Sequence, residues 1–590
     1  MRTRLAFGSL ACILLSCLGC ATPAGDDPPG VCERADSCFQ FCVCSSGDVQ
    51  ACAAACGETG ESISGSNTWP EGTGGAGGSG GNSGGQGGGT TGNPPQNTGG
   101  QGGAGSGGAS SGGNGGSGSA SSAGAVASDI SIDEIAVYQG VKVPIAKAGA
   151  AVTQTNAPII AGRDGLLRVF VTPGSGFSSR EILARLELSS GATLEKTMVV
   201  SGASSDATPG STFNFDLSGS TLTTATSYSV TLHETSAGAP TGNTAGARFP
   251  SSGSSNLGAQ SAGGGLDVVL VPIVVSGYTP DTSSARVQTY RERLLKLFPV
   301  PDVKISVRAA VTYPGSVTAT SGTSWSQALD FLYGVRSSDQ PAKDVYYYGV
   351  LTPKSSFGTY CGSGCIAGIS ALSGASDVYS RGSIGVGYFS GGSSNDSPDV
   401  MAHELGHAHG LPHAPCGVSN AGPFPYSGAK IGVWGYDILT KTLMSPTSRV
   451  DVMSYCDPTW ISDYNFDKLF SRVSYVHSNM SFKLTEPSRA PGRFRAAIID
   501  ENGHATWGQS HNLDGPVLGE KRRVRIENAQ GVSSQTSGFF YPLSHAAGGI
   551  LLVRESAMAG ARVMQAEGAL PVATSAAAAA PLPAFTPAQP

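Results

Sequence analysis

The chain has 590 residues, a formal net charge of −6, 85 glycines, 35 prolines and 13 cysteines. This length is sufficient for several domains, each with its own core. The charges are spread without long basic runs, which argues against a nucleic-acid partner and against direct binding to an anionic membrane.

The N-terminus is predicted to be a signal peptide over residues 1–20. Two arginines precede an apolar stretch, residues 5–15, that is too short to span a membrane. Small residues precede Cys17 and Cys20, and either site resembles a bacterial lipoprotein cleavage box; an ordinary signal peptide is the alternative. Lipidation of Cys20 leaves ten later cysteines, an even number that can pair in an oxidising compartment. We therefore expect a protein exported to the bacterial cell envelope or beyond it, with a lipid anchor as its only membrane attachment.

The next three segments differ sharply in composition. Residues 32–56 hold six cysteines and predict a small disulfide-stapled domain; a zinc knuckle is disfavoured because the segment lacks histidine. Residues 72–124 are rich in glycine and serine and too poor in apolar residues to fold, which predicts a disordered linker. Residues 129–250 alternate short β-rich runs with Gly, Ser and Pro turns, the pattern of a β-sandwich.

Residues 266–480 are predicted to form an α/β domain. A buried strand, LDVVLVPIVV, is followed by a helix from about residue 283 to 298 and by the strand VKISV. A second helix around residues 325–333 and the strand YYYGVL come next. SIGVGYF, residues 383–389, could be an edge strand along which an extended peptide pairs, although a plain sheet strand is equally compatible.

The C-terminal part is predicted to close this domain and then return to β-structure. A turn and a helix are expected between Trp460 and Val476, with Asp463 as a possible N-cap. Residues 482–556 predict a small accessory β-domain. Residues 570–590, rich in alanine and proline, predict a disordered tail.

The stretch HELGHAHGLPH carries the clearest functional signal in the chain. His403 and His407 are four residues apart, so both imidazoles fall on one face of a helix from about residue 398 to 409 and can bind one metal ion. Gly410 can turn the chain with positive φ, which returns His413 to the same ion as third ligand. Three histidines leave one position open for water, as in catalytic zinc sites.

Glu404, next to the first ligand, is predicted to face the cleft as general base for that water. A single histidine or glutamate on a helix is usually a satisfied or solvated side chain. The histidines outside the motif, His545 among them, receive that interpretation. The fixed offsets of the motif make chance improbable, and a zinc hydrolase is the leading interpretation.

HELGHAHGLPH and the later DVMSYC resemble the two motifs of the metzincin superfamily of zinc endopeptidases. The resemblance implies a multidomain protein whose α/β metzincin-like catalytic domain, a twisted mixed sheet with a zinc helix and a Met-turn, is flanked by β-sandwich-like domains. It implies that Met453 forms an apolar floor beneath the metal and that Tyr455 can ligate zinc or stabilise an oxyanion. Ala414, the residue after the third ligand, identifies no branch of the superfamily.

Four cysteines lie in the same predicted domain as these motifs. Cys416 follows the third histidine ligand by three residues, and Cys456 follows the Met-turn methionine by three. A bridge between them would tie the third-ligand loop to the Met-turn. Cys361 and Cys365 would then close a small loop.

The sequence thus predicts a secreted, lipid-anchored endopeptidase that depends on Zn²⁺ and hydrolyses extracellular proteins or glycoproteins as a monomer. A surface adhesin or glycan-binding lipoprotein with a vestigial zinc site is the main alternative, and it predicts ligand retention without cleavage. Intact ligands and an intact Glu404 count against it. A non-proteolytic zinc hydrolase is a further alternative, which the Met-turn disfavours.

Overall fold

A computed structural model describes residues 124–236, 242–362, 364–389, 396–478 and 487–573. The predicted signal peptide with Cys20, the cysteine-rich segment and nearly all of the glycine-rich linker lie outside these ranges, as does most of the predicted C-terminal tail. The described chain is multidomain and mostly β, with few helices. Within these ranges no helix is long and apolar enough to cross a membrane.

The first domain consists of two antiparallel sheets, with strand orders β3-β2-β1-β5-β8 and β10-β9-β6-β7; β11 also pairs with β9. On β6 every second side chain is buried, which gives the sheet one core face and one solvated face. The strands are β1 (Ile130–Tyr138), β2 (Lys142–Lys147), β3 (Ala150–Ala151), β4 (Ile159–Ile160), β5 (Gly165–Pro173), β6 (Arg180–Leu188), β7 (Thr193–Val200), β8 (Phe213–Leu217), β9 (Ser227–Glu234), β10 (Arg248–Phe249), β11 (Ser255–Asn256) and β12 (Ala259–Gln260), the last pairing with β4.

The central domain contains a sheet of order β14-β13-β16-β18-β17, to which β15 is added beside β13. Its strands run parallel except β17, which pairs antiparallel with β18 at the edge. The elements are β13 (Leu266–Val274), α1 (Ser284–Leu297), β14 (Val303–Val307), β15 (Val311–Thr312), α2 (Gly322–Asp339), β16 (Tyr346–Leu351), α3 (Phe357–Tyr360), β17 (Gly368–Ser370), β18 (Gly382–Val386), α4 (Ser397–Ala408), β19 (Gly435–Asp437), β20 (Thr442–Met444), β21 (Val450–Asp451), β22 (Thr459–Trp460) and α5 (Asp463–His477).

The edge strand differs from the prediction. SIGVGYF was expected as a candidate edge, but its residues 383–386 belong to β18, which is hydrogen-bonded on both sides. The edge is β17, a three-residue strand that directly follows the Cys361–Cys365 loop. All five residues of β18 are buried, as expected for an interior strand of a sheet covered on both faces, and this accounts for the largely apolar composition of SIGVGYF.

Two side-chain contacts fix α4 against α1. The Tyr290 hydroxyl lies 2.5 Å from Ser397 Oγ, which donates to the Val386 carbonyl of β18 at 2.7 Å. Arg293 forms an ion pair of 2.5 Å with Asp399 in the first turn of α4. Ser397 is the first residue of α4, and its hydroxyl joins the helix to the sheet.

The last domain is a sheet of order β24-β23-β27-β26-β25-β28-β29, antiparallel at every pairing. It extends beyond the predicted end at residue 556. Before it, α5 is capped by Ser462, whose hydroxyl accepts from the Asn465 amide, rather than by Asp463. The strands are β23 (Gly492–Ile499), β24 (Ala505–Leu513), β25 (Glu520–Asn528), β26 (Ser533–Pro542), β27 (Gly549–Arg554), β28 (Ala561–Ala566) and β29 (Val572–Ala573).

Buried polar contacts join the central domain to both neighbours. Arg163 of the first domain is 0% exposed and donates to the Leu295 and Val300 carbonyls at 2.6 and 2.8 Å, at the C-terminal end of α1. That end carries unpaired carbonyls and partial negative charge, which favour a cation. On the opposite side His511 of β24 pairs with Asp330 of α2 at 2.7 Å.

Candidate metal centre

The helix α4 brings the first two predicted ligands together, and the turn after it adds the third. The Nε2 atoms of His403 and His407 are 3.1 Å apart, and Nε2 of His413 lies 3.1 Å from that of His407. Gly410 has φ of 87°, in the left-handed region that glycine adopts readily, and it redirects the chain after α4. The structure therefore brings three imidazole nitrogens close to one point.

Backbone carbonyls orient two of these rings. Nδ1 of His403 donates to the Val452 carbonyl and Nδ1 of His407 to the Leu411 carbonyl, both at 2.7 Å. Each bond places the ring proton on Nδ1 and leaves the Nε2 lone pair for a metal. Burial lowers the pKa of His403 to about 3 and that of His407 well below its usual value, so both rings are neutral at physiological pH.

The Met-turn lies directly beneath α4. Met453 is fully buried, and its sulfur occupies the space that a side chain on Gly406 would need. Asp451 shapes the turn, because its Oδ1 accepts from the Met453 amide at 2.8 Å. The turn thus places an apolar floor under the helix while its Val452 carbonyl orients the first ligand.

Glu404 points from α4 into the cleft, where it packs against the edge strand. A Cβ on Gly368 of β17 would lie 2.6 Å from Glu404 Cγ, so only glycine leaves room for the carboxylate there. Burial raises the pKa of Glu404 to about 8, opposed by His403 and by Ser544. A cation bound by the neighbouring histidines would act in the opposite direction and favour the carboxylate form.

The sequence did not predict a fourth histidine at this point. His545, in the loop between β26 and β27, extends its ring over the three ligands, and one ring nitrogen of each of the four histidines lies within 4.8 Å of the others. Its Nε2 is 2.9 Å from Glu404 Oε1, and its Nδ1 contacts the Tyr455 hydroxyl. The sequence assigned His545 no role beyond that of a satisfied or solvated side chain, whereas the structure places its ring over the three histidines. No spacing in the sequence signals this contact, because it depends on how the last sheet docks.

Tyr455 is placed where the resemblance implied, beside the ligands. Its ring centre lies 5.0 Å from that of His413 and 5.9 Å from that of His403, and the residue is 46% exposed. Burial and the Glu404 charge raise the pKa of Tyr455 above its usual range, so the hydroxyl keeps its proton. The protonated hydroxyl can donate a hydrogen bond, and in this structure it contacts His545 Nδ1.

Both expected disulfides are present. The Cys416–Cys456 bridge joins the third-ligand loop to the residues after the Met-turn, and Cys361–Cys365 closes a small loop before β17. Two backbone hydrogen bonds run beside the first bridge, from Ala414 N to Met453 O at 2.9 Å and from Tyr455 N to Cys416 O at 3.0 Å.

A cavity of about 240 Å³ opens beside Glu404. Its walls come from the end of the small disulfide loop, from α4, from the Met-turn and from His545: Cys365, Ile366, Ala367, Gly368, Asp399, Val400, His403, Glu404, Val452, Ser454, Tyr455, Thr459 and His545. Residues 366–368 give this cavity a continuous strip of backbone leading into the edge strand.

This arrangement can hold a metal ion through three neutral imidazoles with a carboxylate next to it, and comparison with known protein families gives the same indication. Residues 349–469 match the family model Peptidase M66. The matched range begins in β16 and ends within α5, so it contains the three ligands, Glu404 and the Met-turn. The match indicates a metallopeptidase. No curated protein matches the chain.

Proposed function

We propose that this protein is a zinc-dependent endopeptidase of the metzincin type. The observation that carries the proposal is the convergence of three imidazole Nε2 atoms beside Glu404, at a cavity that continues into a sheet edge. The α/β central domain, with the helix α4 above a buried methionine, supports the assignment to the metzincin type.

The residues present fit zinc. Three Nε2 lone pairs meet at mutual distances that are unfavourable for neutral rings unless a cation lies between them, and two rings are fixed by their Nδ1 hydrogen bonds. Nitrogen ligands with no carboxylate among them suit zinc better than calcium or magnesium. A bound zinc ion would acidify a water molecule and polarise the carbonyl of the scissile bond.

The chain's own groups supply the proton transfers. Glu404 takes a proton from the attacking water as the new carbon–oxygen bond forms, and it returns that proton to the amide nitrogen as the carbon–nitrogen bond breaks. The Tyr455 hydroxyl, which keeps its proton, donates a hydrogen bond to the carbonyl oxygen as charge develops there. The edge strand β17 and residues 371–372 after it carry backbone groups that could pair with an extended peptide, although the protein's own residues 542–544 occupy part of this edge in the structure.

The N-terminal sequence supports a location for this activity. A signal peptide ending at Cys20, followed by a cysteine-rich segment and a glycine-rich linker, would place the enzyme on the outside of the cell envelope through a lipid anchor. Its substrates there would be extracellular proteins or glycoproteins. We propose that it acts as a monomer.

The test measures bound zinc and the cleavage of an unfolded protein by the full chain and by Glu404→Gln. We expect one zinc per chain in both, and a cleavage rate at least about 100-fold lower in Glu404→Gln because the general base is lost. A chelator should abolish cleavage and added zinc should restore it. His504→Ala, an exposed histidine of the last sheet, is the matched control and should behave as wild type.

Because His545 contacts Glu404, His545→Ala is assayed alongside the wild type. If both proteins bind zinc and neither cleaves any unfolded protein, the chain is not an endopeptidase.

A further inference from the structure

A short segment of the last domain lies along the edge of the central sheet. Leu543, which follows β26, forms an antiparallel bridge with Ala371, next to β17. Ser544 N donates to the Ser370 carbonyl at 2.9 Å, and Leu372 N donates to the Pro542 carbonyl at 3.1 Å. The segment Pro542–His545 therefore uses the backbone groups that an added peptide strand would use.

The same segment ends at the metal centre. The His545 ring centre is 5.2, 5.1 and 4.8 Å from those of His403, His407 and His413, respectively. The three ligand rings are 4.7, 5.4 and 4.5 Å from one another. His545 is therefore as close to each ligand ring as the ligand rings are to each other, and one nitrogen of each of the four rings lies within 4.8 Å of the others.

The contacts of His545 also engage both groups that the proposed reaction needs. Its Nε2 lies 2.9 Å from Glu404 Oε1, where the attacking water would have to be held, and its Nδ1 contacts the Tyr455 hydroxyl. Ser544 Oγ adds a longer contact of 3.5 Å to Glu404 Oε2. Glu404 and Tyr455 are thus both in contact with the protein's own segment.

We propose that the last domain keeps the metal centre closed: Pro542–His545 pairs with the edge of the sheet in place of a substrate strand, and His545, whose Nε2 has no hydrogen-bond partner among the described residues, would be a fourth ligand to a bound zinc ion in place of water. This inference rests on the proposed endopeptidase function and names the regulation of the same site. The enzyme is latent until the segment leaves the edge.

The closure covers only one side of the centre. The cavity beside Glu404 stays open, with Ile366, Val400 and Thr459 in its walls. A substrate can therefore enter that cavity with one part of its chain and then compete with the segment for the edge. Because the competition is between strands, substrates long enough to pair along residues 370–372 should open the site, whereas very short peptides should not.

The first experiment compares His545→Ala with wild type and with His504→Ala as the matched control. If the open form is a minor population of a few per cent, removal of the imidazole should raise the rate of cleavage of a short fluorogenic peptide roughly tenfold or more. A second readout does not depend on turnover. In the cobalt-loaded proteins, acetohydroxamate should change the visible absorption of His545→Ala at concentrations roughly tenfold lower than those needed for wild type.

A second variant releases the segment without touching the imidazole. Ser544→Pro removes the N–H that donates to Ser370, whereas Ser544→Ala keeps it. Ser544→Pro should therefore raise the peptide rate well above that of Ser544→Ala. Thermal unfolding of each protein shows whether the sheet remains folded.

The outcomes separate the two proposals. Cleavage by wild type and His545→Ala at equal rates, with equal hydroxamate binding, would overturn latency and leave the endopeptidase standing. A lower rate in His545→Ala with metal still bound would also overturn latency, because the imidazole would then assist the reaction. Zinc binding without cleavage by wild type, His545→Ala and Ser544→Pro would overturn the endopeptidase itself.

Discussion

Gly406 and Met453 are packed so closely that Gly406 cannot carry a side chain without displacing the methionine or the helix. A Cβ built on Gly406 would lie 2.4 Å from Met453 Sδ, well inside van der Waals contact. Gly406 lies on α4 between His403 and His407, so any shift that relieves this clash moves the ligands. Alanine has a higher helix propensity than glycine, but at this position we expect it to lower the stability of the protein.

We predict that Gly406→Ala lowers the free energy of unfolding by about 2 kcal/mol through overpacking, despite the gain in helix propensity. Zinc affinity should fall with it. Chemical denaturation and zinc titration measure the two effects. Gly358→Ala on α3 is the matched control, because a Cβ there meets nothing within 4 Å. Equal stability of both variants would contradict the packing argument, and partial recovery in Gly406→Ala/Met453→Ala would support it.

Acid should destabilise the first domain through Glu234. This carboxylate accepts from Arg180 Nη2 at 2.7 Å and Nε at 2.8 Å, and from the Ser128 amide at 3.0 Å. The Arg180 hydrogen bonds lower the pKa of Glu234 below its ordinary 4.5. The pKa of Glu234 is therefore lower in the folded protein than in the unfolded chain. Its contribution to the free energy of unfolding is fully present above about pH 5 and is lost as the pH falls through the folded-state pKa.

We therefore expect Glu234→Gln to lower the free energy of unfolding by about 2 kcal/mol at pH 7, and by progressively less as the pH falls below 4.5. Urea unfolding between pH 3 and 7 measures this. Glu195→Gln, from a more exposed pair with Arg185, is the control and should cost less than about 1 kcal/mol at every pH. A difference between wild type and Glu234→Gln that does not vary with pH would reject the assignment.

The disulfide between Cys416 and Cys456 should support both stability and metal binding. It closes a loop with a sequence separation of 40, for which chain entropy predicts about 4 kcal/mol. The double variant to alanine should lose stability on this scale, and its zinc affinity should drop because the third-ligand loop is no longer tied to the Met-turn. Cys361→Ala/Cys365→Ala, which opens a loop with a separation of only 4, should lose less stability and retain zinc.

The buried pair between Asp330 and His511 should anchor the last sheet. Its Oδ1–Nε2 distance is 2.7 Å, the two side chains are 2% and 0% exposed, and Asp330 Oδ2 also accepts from the Gln509 amide. Asp330→Ala leaves His511 buried without its partner, and we expect it to lower the free energy of unfolding by about 3 to 5 kcal/mol. Glu555→Ala, which breaks the exposed pair with Arg493, should cost under about 1 kcal/mol.

Hydrogen exchange would locate the effect of Asp330→Ala in β24 and α2. A loss of protection confined to the first domain would contradict the anchoring role.

The sequence was sufficient for those parts of the site that depend on local geometry. The spacing of His403, His407 and Gly410 determines a helix face and a turn, and these need no knowledge of the tertiary structure. The Cys416–Cys456 bridge was predicted because each cysteine lies three residues beyond a motif residue, and the pairing of Cys361 with Cys365 followed from that assignment. The α/β order of the central domain followed from strand and helix periodicity in the same way.

The parts that were missed depend on long-range docking. His545 reaches the metal centre only because the last sheet packs on α2 and continues onto the edge of the central sheet. The true edge, β17, is three residues long and contains Gly368, whose lack of a side chain makes room for Glu404 but removes any strand signal. SIGVGYF carried the strong β pattern instead, and this is typical of an interior strand.

Arg163 constrains how the protein could mature. Its guanidinium is buried between two domains and donates to four backbone carbonyls, those of Gln139, Leu295, Lys296 and Val300. Proteolysis in residues 251–265 would therefore not release the first domain as a discarded propeptide. The two fragments would stay together as a nicked, non-covalent complex and would elute as one species in gel filtration.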